Sequence, residues 1–180
     1  MTKIKDVNQG DLLTFVNANN YYNIILCTNT NKTISPHNYT FCLLDYNDIQ
    51  KPTIEKIKSL NFFGVGNMTK TNRYNYSEED LKNMWECHPE IKPCLLGTYS
   101  LIIWRKDFMK FRDNLEFISN LDILPDLNKN GNGAVNASSW GFLKEFFNDK
   151  IITIMNERNQ EKFKLKAIIK SNQSNANYFL

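Results

Sequence analysis

The sequence has no hydrophobic run long enough to cross a membrane. No segment approaches the roughly 18 consecutive apolar residues that a spanning helix needs. The polar start of the chain leads into Val7-Asn8-Gln9-Gly10 rather than into the apolar centre of a secretion signal. We therefore expect a cytoplasmic protein that is neither secreted nor embedded in a membrane.

Catalytic motifs are also lacking. The chain contains no Gly-x-Ser-x-Gly elbow, no phosphate-binding glycine loop and no dinucleotide fingerprint. Histidine occurs only twice, as His37 and His88, and a nucleophilic pair of His88 with the adjacent Cys87 is disfavoured because neighbouring side chains usually point apart. The sequence therefore predicts no catalytic residue and no cofactor. A hydrolase or transferase whose site forms no motif is the competing function.

Cysteine is limited to four residues, which are Cys27, Cys42, Cys87 and Cys94. In a chain without a secretion signal we expect reduced, buried thiols rather than disulfides. Cys87, His88 and Cys94 have the residue types of half a zinc site, but no matching second pair of ligands is present. A zinc site would have to recruit ligands that are distant in the sequence.

Positive charge is not concentrated in one part of the chain, whose formal net charge is +3. The one basic series is Lys162, Lys164, Lys166 and Lys170. Proteins that bind nucleic acid usually concentrate their lysines and arginines to neutralise phosphates. Because apolar residues alternate with these lysines, we interpret the series as the solvent-facing side of a strand and expect no nucleic-acid partner.

Strand-like segments dominate the N-terminal half. Asp11–Val16 and residues 21–28 flank an asparagine-rich turn and predict a hairpin, and residues 39–45 repeat the pattern of aromatic and β-branched residues. A short helix is predicted over 53–59 and a fourth strand over 61–66. These elements predict a curled antiparallel sheet or a small barrel.

The C-terminal half mixes helices and strands. Residues 94–104 predict a central strand, and the apolar spacing of Phe108, Phe111, Leu115 and Ile118 predicts an amphipathic helix. Further elements are predicted as a helix over 78–86, a helix over 140–147 capped by Ser138 or Ser139, and a final hairpin of 150–155 with 162–169. The fold class is therefore α+β.

The chain of 180 residues, 42% of them hydrophobic, suits one globular domain. We assign that domain to 1–170, with an internal boundary near the polar stretch 67–76. We expect the aperiodic residues 171–180 to form a flexible tail.

A calcium-loop pattern begins at Asp126. Asp126, Asn128 and Asn130 alternate before a glycine, as in the first half of an EF-hand loop. The position where a bidentate glutamate should complete the ligand shell is Ala137, however, and a chain with abundant asparagine produces such patterns by chance. A flexible loop is the competing interpretation, and a calcium-dependent binding module is a further candidate function.

Aromatic residues make up 13% of the chain, which exceeds the need of a core of this size. Four tyrosines lie in or beside predicted turns: Tyr21, Tyr22, Tyr74 and Tyr76. Tyrosine is favoured at protein–protein contacts because its ring is apolar and its hydroxyl is polar. We therefore assign these four residues to a partner-binding surface, with ordinary packing as the alternative.

Three segments carry a resemblance to a known family. They are Gln9-Gly10-Asp11-Leu12-Leu13-Thr14-Phe15, Tyr21-Tyr22-Asn23-Ile24-Ile25-Leu26 and Phe62-Phe63-Gly64-Val65. In these segments the chain resembles the immunity proteins of bacterial polymorphic-toxin systems, over residues 8–66, while 77–170 has no counterpart. The resemblance implies a small barrel and a non-enzymatic cytoplasmic protein that binds a cognate toxin and blocks its active site.

Overall fold

The computed structural model describes residues 4–65, 97–98, 100–125, 127, 134–147 and 161–170. The strands within them are β1 (Asp11–Val16), β2 (Tyr22–Asn31), β3 (Asn38–Leu43), β4 (Asn61–Val65), β5 (Gly97–Thr98), β6 (Ser100–Trp104), β7 (Glu116–Asn120), β8 (Ala134–Asn136) and β9 (Glu161–Lys164). The α-helices are α1 (Ile54–Lys58), α2 (Arg105–Phe111) and α3 (Trp140–Phe146). Among these described helices none has the length and apolar character to span a bilayer.

Six strands form the main sheet in the order β7-β1-β2-β3-β6-β8. All neighbours are antiparallel except β6 and β8, which run parallel. A second sheet has the order β5-β4-β9. The predicted α+β class is confirmed. The predicted barrel is not confirmed, because β7 and β8 are edge strands and the main sheet is not closed.

Both faces of the main sheet are buried, which explains the continuous apolar runs in its strands. Successive residues of a strand point to opposite faces, so Leu13 enters a first core with α2 and α3 while Leu12 enters a second core with α1, β4 and β9. Ile25 and Ile24 divide in the same way. Each such side chain contributes roughly 1.5–3 kcal/mol by leaving water.

Aromatic rings fill much of the first core. Phe15 lies edge-on to Trp140 and Phe147, with ring centroids 5.8 and 5.0 Å apart, and Tyr39 packs edge-on against Phe108 at 5.1 Å. Edge-to-face pairs add to the burial of each ring. Part of the aromatic content of the chain therefore serves packing.

The local signals of the N-terminal half are confirmed. β1 and β2 form the predicted hairpin, with Val16 opposite Tyr22, and Asn20 adopts the left-handed backbone angle (φ 64°) that asparagine tolerates. The C-terminal helix α3 is also confirmed. Ser139 is its cap, because its hydroxyl accepts the backbone N–H of Phe142 at 3.2 Å.

The predicted helix that places Phe111 and Ile118 on one stripe is wrong beyond Phe111. α2 ends there, and β7 instead pairs with β1. Phe108, Phe111 and Leu115 do enter the first core, but Ile118 packs against the second core on the opposite face of the sheet. The apolar stripe of one helix cannot face both cores. As a strand, β7 also provides hydrogen-bond partners for the backbone groups of β1.

Two predicted strands are wrong in extent. Within 94–104, β5 joins the second sheet while β6 joins the main sheet. Within 162–169, the strand ends at Lys164 and a 3-10 turn follows, and β9 pairs with β4 so that Phe163 lies opposite Phe62. The other predictions, over 67–76, 78–86, 150–155 and 171–180, fall outside the described residues.

Candidate functional site

The long strand β2 separates two ends of the main sheet that differ in chemistry. Its ten residues span about 30 Å at the usual rise of an extended strand. Tyr22 lies at one end, beside the turn to β1, and Asn31 lies at the other end, beside the loop to β3. Polar and charged side chains outside the two cores gather at these ends.

Asn17 holds the turn between β1 and β2 in place. Its amide nitrogen donates to the carbonyl of Phe147 at 2.9 Å, which ties the turn to the end of α3. Its amide oxygen accepts the backbone N–H groups of Asn19 and Tyr21 at 2.9 and 3.0 Å. A single buried side chain, 4% exposed, thus fixes both the turn and its contact with the helix.

Asn23 fixes the segment that follows β3. Its amide nitrogen donates to the carbonyl of Tyr46 at 2.8 Å and lies 3.4 Å from the amide oxygen of Asn47. The amide oxygen of Asn23 is buried and makes no hydrogen bond within the described residues. These bonds contain no ionisable group, so this end of the sheet is held by neutral amides.

An exposed apolar surface lies over this amide network. It consists of Tyr21, Ile49 and Ile54, which are 38%, 70% and 47% exposed, and we call it the apolar surface. Tyr22 and Asp48 exchange backbone hydrogen bonds of 2.7 and 3.3 Å as an antiparallel bridge, which brings Tyr21, the residue before Tyr22, next to Ile49, the residue after Asp48. The result is a set of large apolar side chains on a hydrogen-bonded frame.

Charges around the apolar surface are paired. Lys56 lies 3.5 Å from Asp48 and donates to the side chain of Gln50 at 3.2 Å, and Lys51 pairs with Glu116 of β7. Hydrogen bonds to the backbone of Gln50 and to Lys56 lower the pKa of Asp48. These pairs also fix the positions of the segment between β3 and α1.

The four tyrosines assigned to partner binding have different surroundings. Tyr21 is exposed at the turn, whereas Tyr22 is half-buried and packs against the second core. Tyr74 and Tyr76 fall outside the described residues. Sequence reasoning predicted neither Ile49 nor Ile54 as exposed contact residues, and the five residues of α1 bury only Ile57.

The exposed Asp6 and the buried Tyr39 form a latch at the other end of β2. The Tyr39 hydroxyl donates to the Asp6 carboxylate at 2.8 Å, and Lys32 pairs with the second oxygen at 2.7 Å. The hydrogen bond from Lys32 lowers the pKa of Asp6 to about 2, while burial and Asp6 raise the pKa of Tyr39 to about 12. At neutral pH the pair is a carboxylate and a protonated phenol.

This pair has the perturbed pKa values that active sites often show. Tyr39 is fully buried, however, so its hydroxyl offers a substrate no access. The flanking residues Ile4 and Val7 are part of the first core. We conclude that the latch anchors the N-terminal segment to the sheet.

Cationic side chains surround the latch. Arg105 donates its backbone N–H to the carbonyl of His37 at 2.9 Å, and Lys106 lies 4.7 Å above the ring of Trp104. On the next turn of α2, Lys110 pairs with Asp107 at 2.8 Å. This end of the sheet therefore presents charge where the other end presents apolar side chains.

The Gly-Asp motif at the start of β1 has a backbone role. Gly10 has φ 88°, and a Cβ there would collide with the carbonyl oxygen of Leu121. Asp11 accepts the backbone N–H of Asn8 at 2.7 Å and the side-chain amide of Asn120 at 2.8 Å. The motif that carries the family resemblance thus shapes the turn that enters β1.

The predicted metal ligands are not brought together in the described residues. Asp126, Asn128, Asn130, Cys87, His88 and Cys94 all fall outside them. Cys27 and Cys42 are unpaired and lie in opposite cores, and burial raises the pKa of both thiols. No described group of three or more His, Cys, Asp or Glu residues has the geometry to hold a metal ion.

Comparison with known proteins adds no family. No protein-family model, curated protein or solved structure matches this chain. The chemistry of the two ends of β2 is therefore the basis for a functional assignment.

Proposed function

We propose that this chain is an immunity-type protein that neutralises a cognate bacterial toxin in the cytoplasm by direct protein–protein contact. The observation that carries the proposal is the apolar surface of Tyr21, Ile49 and Ile54. The resemblance of residues 8–66 to immunity proteins supports the same class of function.

Large apolar side chains on a surface favour a partner that covers them. Ile49 is 70% exposed, and covering such a side chain contributes roughly 1–2 kcal/mol through loss of its contact with water. Tyr21 adds an aromatic ring with a polar hydroxyl, which is a common contact residue at the centre of interfaces.

The frame beneath the apolar surface reduces the cost of binding. The Tyr22–Asp48 bridge and the hydrogen bonds of Asn17 hold the exposed residues before any partner arrives. Side chains and loops that are already ordered lose little conformational entropy on association. The neighbouring ion pairs neutralise one another, so we expect apolar contact rather than charge to determine the lifetime of the complex.

Expression of the chain together with the product of the adjacent gene tests the proposal. We expect growth of a host that the neighbouring product alone kills, and a stable complex of the two proteins in pull-down and gel filtration. Failure to rescue growth and to form a complex would overturn the proposal. Turnover of a substrate by the isolated chain would instead support an enzyme.

Two matched variants assign the contact to the apolar surface. Ile49→Glu places a charge at its centre, and Ile34→Glu makes the same change in the loop between β2 and β3, where Ile34 is 53% exposed. Both positions are exposed, so both variants should fold and melt like the parent protein. We expect Ile49→Glu to lose protection and weaken the complex about tenfold or more, because the glutamate must be desolvated at the contact. Equal loss in both variants would contradict this assignment.

A further inference from the structure

A second surface, at the end of β2 opposite to the apolar surface, is basic. It consists of Lys5, Lys32, Arg105, Lys106 and Lys110, which we call the basic surface. Among the described residues, the carboxylates that pair with these cations are Asp6 and Asp107. Five cations against two anions leave a net charge of +3, which equals the formal net charge of the whole chain.

Three of these cations are not neutralised by a neighbour. Lys32 is neutralised by Asp6 at 2.7 Å, and Lys110 is neutralised by Asp107 at 2.8 Å. The other three, Lys5, Arg105 and Lys106, are exposed and make no ion pair with a carboxylate in the described ranges. The apolar surface differs, because its lysines Lys51 and Lys56 both have acidic partners.

The cations of the basic surface are held by the sheet. Trp104 lies opposite Asn38 in the pairing of β6 with β3, and the backbone of Arg105 is bonded to His37. Lys106 and Lys110 are four residues apart on α2 and therefore share a face of the helix. The spacing of Arg105, Lys106 and Lys110 is thus set by regular structure, whereas Lys5 and Lys32 lie outside helices and strands.

We infer that the basic surface is a second interaction site, which binds an acidic segment of a protein. The planar guanidinium of Arg105 matches the geometry of a carboxylate and bonds it through two N–H groups. Blocks of acidic residues are common as interaction tails. This site is about 30 Å from the apolar surface along β2, so it extends the proposed function and does not depend on it.

Nucleic acid fits the basic surface less well. Asp6 places an exposed negative charge among the cations, where a continuous phosphate backbone would meet it. Lys106 also covers one face of the Trp104 ring, on which an unpaired base would otherwise stack. An acidic protein segment can place its flexible side-chain carboxylates on the unpaired cations, and it needs no exposed ring on which to stack.

Fluorescence anisotropy with a labelled oligoglutamate peptide tests the inference on the full chain. We expect saturable binding at about 50 mM salt that weakens at about 200 mM, because screening reduces attraction between exposed charges. A neutral glycine–serine peptide and a single-stranded oligothymidylate serve as comparisons. Absence of peptide binding at low salt would overturn the inference, and so would tighter binding of the oligothymidylate, which would favour nucleic acid.

Two double variants with the same change in net charge locate the site. Arg105→Gln/Lys106→Gln removes two cations from the basic surface, and Lys164→Gln/Lys166→Gln removes two exposed lysines from β9 and the turn after it. We expect the first to weaken peptide binding about fivefold and the second less than about twofold, since each exposed charge contributes modestly. Equal weakening would show that only net charge matters and would overturn the inference. Circular dichroism and melting confirm that each variant folds.

Discussion

The two ends of β2 are held by different chemistry. At the end near Tyr22, the buried amides of Asn17 and Asn23 bond to backbone carbonyls and carry no charge. At the end near Asn31, Asp6 bonds to Tyr39 and Lys32 as an ionised carboxylate. The hydrogen bonds of Asn17 and Asn23 at the first end, which we call the amide end, therefore do not depend on pH. The hydrogen bonds of Asp6 at the second end, which we call the ionic end, do depend on pH.

The pH window of the ionic end follows from its two pKa values. The pKa of Asp6 falls from 3.8 to about 2 on folding, so its stabilisation is complete above pH 3.8 and is lost as the pH falls to about 2. The pKa of Tyr39 rises from 10.0 to about 12, so its stabilisation is complete below pH 10.0 and is lost as the pH rises to about 12. The hydrogen bonds of Asn17 and Asn23 have no corresponding window, because they contain no ionisable group.

The largest expected loss of stability comes from a substitution that acts independently of the difference between the two ends. Gly10→Ala lies at the ionic end but acts through backbone geometry, because its positive φ and the Leu121 carbonyl leave no room for a Cβ. We expect a loss of about 3 kcal/mol in the free energy of unfolding, equal at all pH values where the protein folds. Urea unfolding measures it. Gly141→Ala, in α3 with open space around it, is the control and should stabilise slightly. An unchanged free energy of unfolding in Gly10→Ala would disprove the turn geometry.

The second-largest loss of stability is expected from a substitution at the amide end. Asn17→Ala removes the bonds to Phe147, Asn19 and Tyr21, of which the bond to the Phe147 carbonyl is buried. We expect a loss of about 2 kcal/mol. Urea titrations at neutral pH and near pH 3 should give the same difference from the parent. A difference that changes with pH would break the contrast between the two ends.

The smallest loss of stability is expected from a substitution at the ionic end. Asp6→Asn keeps an acceptor for Tyr39 but removes the charge that pairs with Lys32. Asp6 is about half exposed, so solvent screens this pair, and we expect a loss of about 1 kcal/mol at neutral pH. Denaturant unfolding across acidic pH should show the difference disappearing as the pH approaches 2. Asp122→Asn, which breaks the more exposed pair with Lys170, is the control and should change stability less. A difference that persists unchanged at low pH would contradict the role of charge.

Local patterns in the sequence predicted the elements whose signals are contiguous. The β1–β2 hairpin and the cap of α3 depend on neighbouring residues, and both are confirmed. β7 was missed because its Ile118 fits the helical spacing of Phe111, and only the long-range pairing with β1 decides between helix and strand. β8 was missed because three residues next to β6 carry no pattern of their own.

The candidate sites could be predicted only in part. Tyr21 was assigned to a binding surface from its place beside a turn, but its neighbour Ile49 is distant in the sequence and joins it through the Tyr22–Asp48 bridge. The basic surface likewise combines Lys32 with Arg105 across β3 and β6. Proximity of this kind is a property of strand register, which composition and spacing do not reveal.

The division of Cys27 and Cys42 between the two cores provides a natural pair of probes. Each thiol is fully buried, and burial keeps it protonated and unreactive. An alkylating reagent therefore reaches either one only when its own layer opens. Peptide mapping after timed labelling distinguishes the two sites, so the unmutated chain reports whether its helical layer and its small-sheet layer separate from the central strands together or in sequence.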